Sequence, residues 1–328
     1  MKPYIYVTRK LPKEAIERFE AEFEINMWDY EDVPVPREIL IKEAMKADAL
    51  LTMLSDSIDE TILNAGENLK VVANLAVGFD NINVEAANKR GIAVCNTPDV
   101  LTDTTADLAF SLLMATARRI VEAAEMVKQG EWKSWSPLLL AGSDIHHKTI
   151  GIVGMGKIGS AVARRATGFE MEILYHNRTR KPEVEKELGA VYSSFEDLVM
   201  KSDFIVCLTP LTNETRNLFT REVFKKMKSS AIFINVGRGP VVDEEALYEA
   251  LVDGDIAAAG LDVFVKEPIS AEHPLLKLSN VIAIPHIGSS SVETRVIMMK
   301  LCLENSKAVL NGEEPKTLVN KEWKALVK

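Results

Sequence analysis

The sequence predicts an α/β protein of two doubly wound, parallel-sheet domains, the first of them discontinuous, and three features lead there. Strand-like and helix-like stretches alternate from one end to the other. The rhythm is interrupted once, by an apolar helical stretch, and restarts at Thr149. The tail after the final helix, Glu313–Lys328, is too short for a domain of its own, so the chain is expected to return to the first. A chain of 328 residues, 47% hydrophobic and 27% charged, suits two globular domains with separate cores.

The elements run in order. Met1–Arg9 holds a short apolar run, Tyr4 to Val7, with no cleavage signal after it, and is a first strand rather than a signal peptide. A helical Lys13–Glu22 comes next, then a helical Arg37–Lys46 and a strand at Ala49–Met53. Val71–Leu75, a helical Val84–Lys89 and Ala93–Cys95 close that series. One long helix is expected from about Thr104 to Lys128, carrying Leu108, Leu112, Met114 and Ala115, with a length that suits a bridge between domains. Six strands come after it, at Ile150–Val153, Ile173–Tyr175, Phe204–Leu208, Ala231–Val236, Gly260–Val263 and Val281–Ile284, the count of a full dinucleotide-binding sheet. A final helix, Val292–Asn311, leaves a tail at Glu313–Lys328. The expected domains are residues 1–99 with 288–328, and residues 100–287.

Composition excludes several function classes. A net charge of -9 repels a phosphate backbone, so nucleic acid is not an expected partner, and an anionic ligand must be held by local positive groups. Cys95, Cys207 and Cys302 form no CxxC pair and are expected as small buried residues in a reducing compartment. No metal site is expected. No apolar run approaches the roughly 18 residues of a membrane span, and the expected location is cytoplasmic.

Gly154-Met-Gly156-Lys157-Ile158-Gly159 is a GxGxxG placed directly after the strand at Thr149–Val153 and opening an apolar helix. Alone the pattern is weak; in this setting it specifies a pyrophosphate site. Gly154 permits the turn, Gly156 admits the phosphates, and Gly159 lets helix and strand pack closely. An acid usually ends the next strand, where it holds the ribose hydroxyls of NAD. Here Asn177 stands in that place, followed by Arg178, Thr179 and Arg180. Losing the carboxylate removes a repulsion, and the arginines can pair with a 2′-phosphate. NADP(H) is therefore the preferred cofactor, with NAD(H) still possible if the arginines are only a solvated loop.

Three further residues each come just after a strand of the same sheet. Arg238 lies in Asn235-Val-Gly-Arg-Gly239, Glu267 in Gly260-Leu-Asp-Val-Phe-Val-Lys-Glu-Pro268, and His286 in Ile284-Pro-His-Ile-Gly288. Ligands of doubly wound sheets bind beyond the carboxyl ends of the strands, so all three are expected at one crevice. A guanidinium fork can hold both the carboxylate and the carbonyl of a 2-oxo acid. Reduction also needs a proton donor near neutral pH, which an imidazolium supplies, and a neighbouring carboxylate orients it and favours its charged form. The expected roles are Arg238 as substrate anchor, His286 as acid/base and Glu267 as its partner. His146, His147, His176 and His273 lack such settings and are expected as surface or structural residues.

With these motifs in this order, nearly the whole chain resembles the D-isomer-specific 2-hydroxyacid dehydrogenase family. The resemblance implies two Rossmann-like domains, a substrate domain split around the cofactor domain, and a homodimer. It further implies that Asp262 contacts the nicotinamide carboxamide, that Val236 and Gly288 lie near the cofactor, and that backbone N–H groups at Val77–Gly78 hold the substrate carboxylate. Thr52-Met-Leu-Ser-Asp56, Val77-Gly-Phe-Asp-Asn81, Thr102-Asp-Thr-Thr-Ala106 and Gly130-Glu-Trp-Lys-Ser-Trp-Ser-Pro137 are most similar to the glyoxylate/hydroxypyruvate reductases. That likeness implies that Trp135 reaches the partner subunit's substrate and that Leu54 helps size the pocket; a dimer contact without a substrate role is the alternative for Trp135. Two other readings stand beside it: a phosphoglycerate dehydrogenase, which shares the fold and catalytic residues, or a cofactor-sensing corepressor, which shares the fold and binds without turnover. A formate dehydrogenase fits less well, because a carboxylate partner for His286 is not its usual pattern.

Overall fold

Runs of Val, Ile, Leu and Ala buried on both sides form parallel strands, and they assemble into two separate sheets. The structure, a computed structural model, describes residues 2–323. The chain divides into two compact units, Met1–Leu101 with Ser291–Lys328, and Thr102–Ser290.

The first unit runs β1 (Tyr4–Val7), α1 (Lys13–Ile16), β2 (Glu24–Met27), α2 (Arg37–Ala44), β3 (Ala49–Thr52), α3 (Glu60–Ala65), β4 (Val71–Asn74), α4 (Val84–Lys89) and β5 (Ala93–Cys95). Its sheet has the order β2-β1-β3-β4-β5, with every pairing parallel. The inner strands β3 and β4 are buried along their whole length. Asp59 and Asn83 start α3 and α4 by accepting from Thr61 N and Ile62 N, and from Ala86 N. Tyr6, Leu50, Ile62, Leu63, Val72 and Val94 form the centre of this core.

The second unit opens with α5 (Thr102–Ala117) and α6 (Ile120–Lys128). Next come β6 (Thr149–Val153), α7 (Lys157–Thr167), β7 (Glu172–His176), α8 (Pro182–Leu188), β8 (Val191–Tyr192), α9 (Phe195–Lys201) and β9 (Phe204–Cys207). The unit ends with α10 (Arg221–Lys226), β10 (Ile232–Asn235), α11 (Glu244–Val252), β11 (Ala258–Leu261) and β12 (Val281–Ala283). The sheet order is β12-β11-β10-β9-β6-β7-β8, again all parallel. Alternate residues bury on opposite faces: Phe204 and Val206 of β9 join the core that includes α5 and α7, while Ile205 and Cys207 join the core on the other side. Helices thus cover both faces, and the order reverses between β6 and β9, where such folds bind nucleotides. The chain returns to the first unit as α12 (Val292–Leu310), packed against β3 and β4.

Four expectations need correction. The single helix over Thr104–Lys128 is two helices, broken at Arg118 and Arg119, the latter at φ 53°. The carbonyl of Ala117 accepts from Ser143 N at 2.9 Å, which takes the place of the next helical turn. Arg119 then clasps Glu122 through two hydrogen bonds and starts α6 on a new axis. The second sheet has seven strands, not six, because β8 adds an edge of two exposed residues. The first sheet gains the edge strand β2, whose Glu24-Ile-Asn-Met27 has no buried residue. Helix Lys13–Glu22 is also shorter than expected and becomes turns after Ile16.

Candidate active site

The loops after β10, β11 and β12 leave the same edge of the second sheet, because the strands are parallel. After β10, buried Asn235 ties its own loop: its Oδ1 accepts from Gly237 N at 3.1 Å and its Nδ2 donates to Arg238 O at 3.2 Å. Arg238 Nη1 donates to Gly237 O at 2.9 Å, which fixes the start of the guanidinium. Gly239 packs against the next loop so closely that a Cβ there would stand 1.8 Å from the carbonyl carbon of Phe264. Any larger residue would push apart the segments that carry Arg238 and Glu267.

Both oxygens of Glu267 are held. Oε1 accepts from Phe264 N at 2.9 Å, and Oε2 lies 2.7 Å from His286 Nδ1. Burial pushes the Glu267 carboxyl up, but the hydrogen bond and charge of His286, the Phe264 N–H and the Arg238 guanidinium together hold it below the usual range. An ionised carboxylate only accepts, so Nδ1 of His286 carries the proton. Its Nε2, without a partner among the described residues, is the ring atom available for proton exchange with a ligand. The backbone of His286 sits at φ 51°, pinned by hydrogen bonds from its N–H to Asp262 O and Ile284 O.

Asp262 lies immediately behind this pair and is 1% exposed. Its Oδ1 accepts from Ile287 N at 2.7 Å, whereas its Oδ2 is buried without a hydrogen-bond partner. Burial raises its carboxyl to about 6, against the pull of the Ile287 and Gly288 N–H groups and of His286. Val236 and Gly288 flank it: a Cβ on Gly288 would lie 3.2 Å from Oδ2 and 3.7 Å from Val236 Cγ1. A buried orphan acceptor costs free energy unless a donor meets it, and a carboxamide N–H₂ is such a donor.

At the end of β6, Gly154 has φ 105°, open to glycine alone without strain, and a Cβ would press on Leu208 and Thr209 backbone. A Cβ on Gly159 would stand 2.3 Å from Gly154 O, so helix and turn pack as the motif requires. Gly156 caps α7 with no side-chain acceptor for the first-turn N–H groups, and nothing lies within 4 Å of where its Cβ would be. Lys157 and Ile158 form the first helical turn beside it. This cradle, together with the orphan oxygen of Asp262, fits a dinucleotide.

Beyond β7, Asn177 turns inward and braces the glycine loop: its Oδ1 accepts from Met155 N at 3.1 Å. Arg178 and Thr179 are exposed, and Arg178 has no ion pair among the described residues, although its field reaches Glu214. Arg180 is engaged, with two 2.7 Å contacts to Glu185. That guanidinium, with the Tyr175 hydroxyl, holds the Glu185 carboxyl down at about 2.

Leu54, Val77 and Gly78 belong to the first unit and Trp135 to the second. Val77 and Gly78 come after β4, and their N–H groups have no acceptor among the described residues. Trp135 is 79% exposed, in a stretch where Trp132, Leu138 and Leu139 also face solvent. His146, His147, His176 and His273 contact Asp144, Glu170, Ser193 and Glu244. Among the described residues no group of His, Cys, Asp or Glu is arranged to hold a metal ion, and no helix is long and apolar enough to cross a membrane. Sequence reasoning missed the bracing roles of Asn235 and Asn177; the signal available was an asparagine at the last position of a strand or just beyond it.

Comparison with known proteins places this geometry. Residues 110–288 match the family described as D-isomer specific 2-hydroxyacid dehydrogenase, NAD binding domain. The chain is 52% identical over 326 residues to the glyoxylate reductase of Thermococcus kodakarensis, covering 98% of this chain and 97% of the relative. Among solved structures, the TT0316 protein of Thermus thermophilus superposes with a TM-score of 0.91 at 44% identity, covering 96% of this chain and 99% of that one. The NADPH-dependent glyoxylate/hydroxypyruvate reductase of Sinorhizobium meliloti, solved with NADP and malonate, gives a TM-score of 0.85 at 34% identity over 98% of each chain. On its motifs, its two parallel sheets and these likenesses, the chain belongs to the D-isomer specific 2-hydroxyacid dehydrogenase family.

Proposed function

We propose that this NAD(P)-dependent 2-hydroxyacid dehydrogenase reduces glyoxylate and hydroxypyruvate, with NADPH preferred to NADH. The observation that carries the chemistry is the Glu267–His286 pair, 2.7 Å apart and within the field of Arg238. The substrate assignment is supported by relatives named glyoxylate reductase or glyoxylate/hydroxypyruvate reductase at 52% and 34% identity. In this reading residues 1–99 with 288–328 form the substrate domain and residues 100–287 the cofactor domain.

Arg238 holds the substrate's carboxylate and carbonyl in one plane, assisted by the N–H groups of Val77 and Gly78, while Leu54 limits its size. His286 Nε2 gives its proton to the carbonyl oxygen, and Glu267 keeps the ring oriented and stabilises its charged form. The glycine loop and Asp262 would hold a nicotinamide cofactor, which when bound would supply a hydride for the carbonyl carbon. Gly154, Gly156, Lys157, Ile158 and Gly159 hold the pyrophosphate, and Val236 and Gly288 line the approach to Asp262. Asn177, Arg178, Thr179 and Arg180 surround the adenosine ribose. Arg178 is the readier partner for a 2′-phosphate, since Arg180 must first leave Glu185.

Glu267→Gln removes the carboxylate that orients the imidazole through Nδ1 and should lower kcat for reduction by at least about tenfold, with NADPH affinity little changed. An unchanged kcat would remove Glu267 from the role. Arg178→Ala should weaken NADPH about tenfold, an exposed charge-assisted contact, and leave NADH within about twofold. Equal weakening of both cofactors would contradict the 2′-phosphate assignment.

A homodimer is part of the proposal. Ile120, Val127, Trp132, Trp135 and Leu138 form an exposed apolar stretch on α6 and the segment after it, suited to burial against a second copy. Trp135 is assigned to the partner subunit's substrate. Sedimentation as a single 36.4 kDa chain would contradict this. The substrate and cofactor claims are tested by initial rates with glyoxylate, hydroxypyruvate and phosphohydroxypyruvate, each with NADPH and NADH. The first two should turn over fastest with NADPH; turnover of the phosphorylated acid alone, or a preference for NADH, would overturn the proposal.

A further inference from the structure

Three successive peptide planes after β4 have their carbonyls tied down. Ala76 O accepts from Thr97 N at 2.8 Å, Val77 O from Asn96 Nδ2 at 2.8 Å, and Gly78 O from Asn74 Nδ2 at 2.9 Å. In a planar trans peptide the N–H points opposite to the C=O. The three tethers therefore aim the N–H groups of Val77, Gly78 and Phe79 away from the protein polar groups that hold the carbonyls, and none of these N–H groups has an acceptor among the described residues.

The turn is also joined to the loop that carries Leu54. Asn81 Nδ2 donates to Met53 O at 3.1 Å and to Asp56 O at 2.9 Å, while its Oδ1 accepts from Asn74 Nδ2 at 3.0 Å. Asn74 is fully buried, and its Oδ1 accepts from Thr52 Oγ1 at 3.0 Å. The far end of the Leu54 loop is anchored by Asp56, whose Oδ2 accepts from Met53 N at 2.8 Å and from the Thr8 hydroxyl. Asp56 Oδ1 pairs with buried Arg9 at 3.2 Å, and Arg9 Nη2 donates to Ser55 Oγ at 3.1 Å. Within this network Asn81 is the side chain that joins the two loops directly. Its two donors and one acceptor act beside the main-chain bonds from Ile58 N to Asn81 O and from Asn83 N to Ile58 O, each 2.9 Å.

We propose that Asn81 is a positioning residue for substrate: it fixes the Leu54 loop against the Val77–Gly78 turn, so that a size limit and a pair of carboxylate-binding N–H groups act on one small 2-oxo acid. This rests on the assignment of Leu54, Val77 and Gly78 to substrate proposed above. A misplacement on the scale of an ångström can cost about a hundredfold, so even a partial shift of either loop is expected to register in KM. A network that merely stabilised the first unit would instead lower the melting temperature and leave the kinetics alone.

The test compares three variants of the full chain with glyoxylate and hydroxypyruvate. Asn81→Ala should raise KM for glyoxylate about tenfold and change the glyoxylate-to-hydroxypyruvate ratio of kcat/KM, with kcat and NADPH affinity within about twofold. Asn320→Ala is the stability control: its side chain ties Val94 N, Ile92 O and Asn88 in the same unit and makes no hydrogen bond to either loop, so it should lower Tm and leave KM unchanged. Leu54→Ala tests the underlying assignment and should change the substrate ratio. If Asn81→Ala behaves as Asn320→Ala does while Leu54→Ala changes the ratio, the positioning role is overturned and the substrate assignment stands. If neither Leu54→Ala nor Asn81→Ala affects KM or the ratio, both fall. Asn81→Ser, which keeps one hydroxyl donor, replaces the alanine variant should that fail to fold.

Discussion

His286→Asn should lower kcat for reduction by about 10²- to 10⁴-fold while NADPH affinity and melting temperature stay close to those of the unaltered enzyme. The choice of asparagine matters. Position 286 holds φ 51°, and asparagine enters that left-handed region with little strain, whereas alanine would add a backbone cost to the chemical one. Asn keeps the N–H that donates to Asp262 O and Ile284 O, so the loop is retained and only the imidazole is lost. The loss is large because no neighbour can take over. Glu267 is held below the usual carboxylate range and is ionised at neutral pH, and Asp262, raised to about 6, is buried behind the ring. A fall in kcat of less than about tenfold would mean that another group donates the proton.

Arg238→Ala should lower kcat/KM for the 2-oxo acid by about 10- to 150-fold, the loss of a charge-assisted contact of about 1.5–3 kcal/mol. Cofactor affinity should remain within about twofold, because the glycine loop and Asp262 are built from other residues. Arg238→Lys should recover only part of the loss, since an ammonium keeps the charge but not the planar fork. The loop itself survives either change: Asn235 holds the backbone of Gly237 and Arg238, and neither bond uses the guanidinium. A collapse of cofactor affinity equal to the fall in substrate efficiency would remove Arg238 from the role of anchor.

The inner strands and the loops that carry the candidate site residues were legible for one physical reason. β3, β4, β9 and β10 are buried almost entirely, so their Val, Ile, Leu and Phe runs stand out from the surrounding helices. Arg238 comes directly after such a strand, and Glu267 and His286 lie in the loops after β11 and β12 of the same parallel sheet. Two of the edge strands carry no such mark. β2 and β8 are short, contain no buried residue, and are fixed by main-chain pairing that any sequence can supply. The break between α5 and α6 was invisible because it is made by a distant partner, Ser143 N on Ala117 O, and not by a proline or glycine at the break. The asparagines that brace the site were missed for a similar reason. Asn74, Asn81, Asn96, Asn177 and Asn235 act through main-chain carbonyls and amides that only the folded chain brings near them. The pairing of Arg180 with Glu185 lies five residues apart across the start of α8, and the exposed charges of Arg178 and Arg180 look alike until that helix is in place.

The most direct measurement is the fate of the hydride and the handedness of the product. Hydroxypyruvate is reduced in ordinary water with NADPH deuterated at both C4 positions, and the glycerate is analysed by mass and by chirality. Direct transfer to a carbonyl carbon held by Arg238 and protonated at oxygen by His286 predicts one deuterium at C2, and membership of the D-isomer specific family predicts the D isomer alone. Unlabelled glycerate, or a racemic or L product, would contradict it.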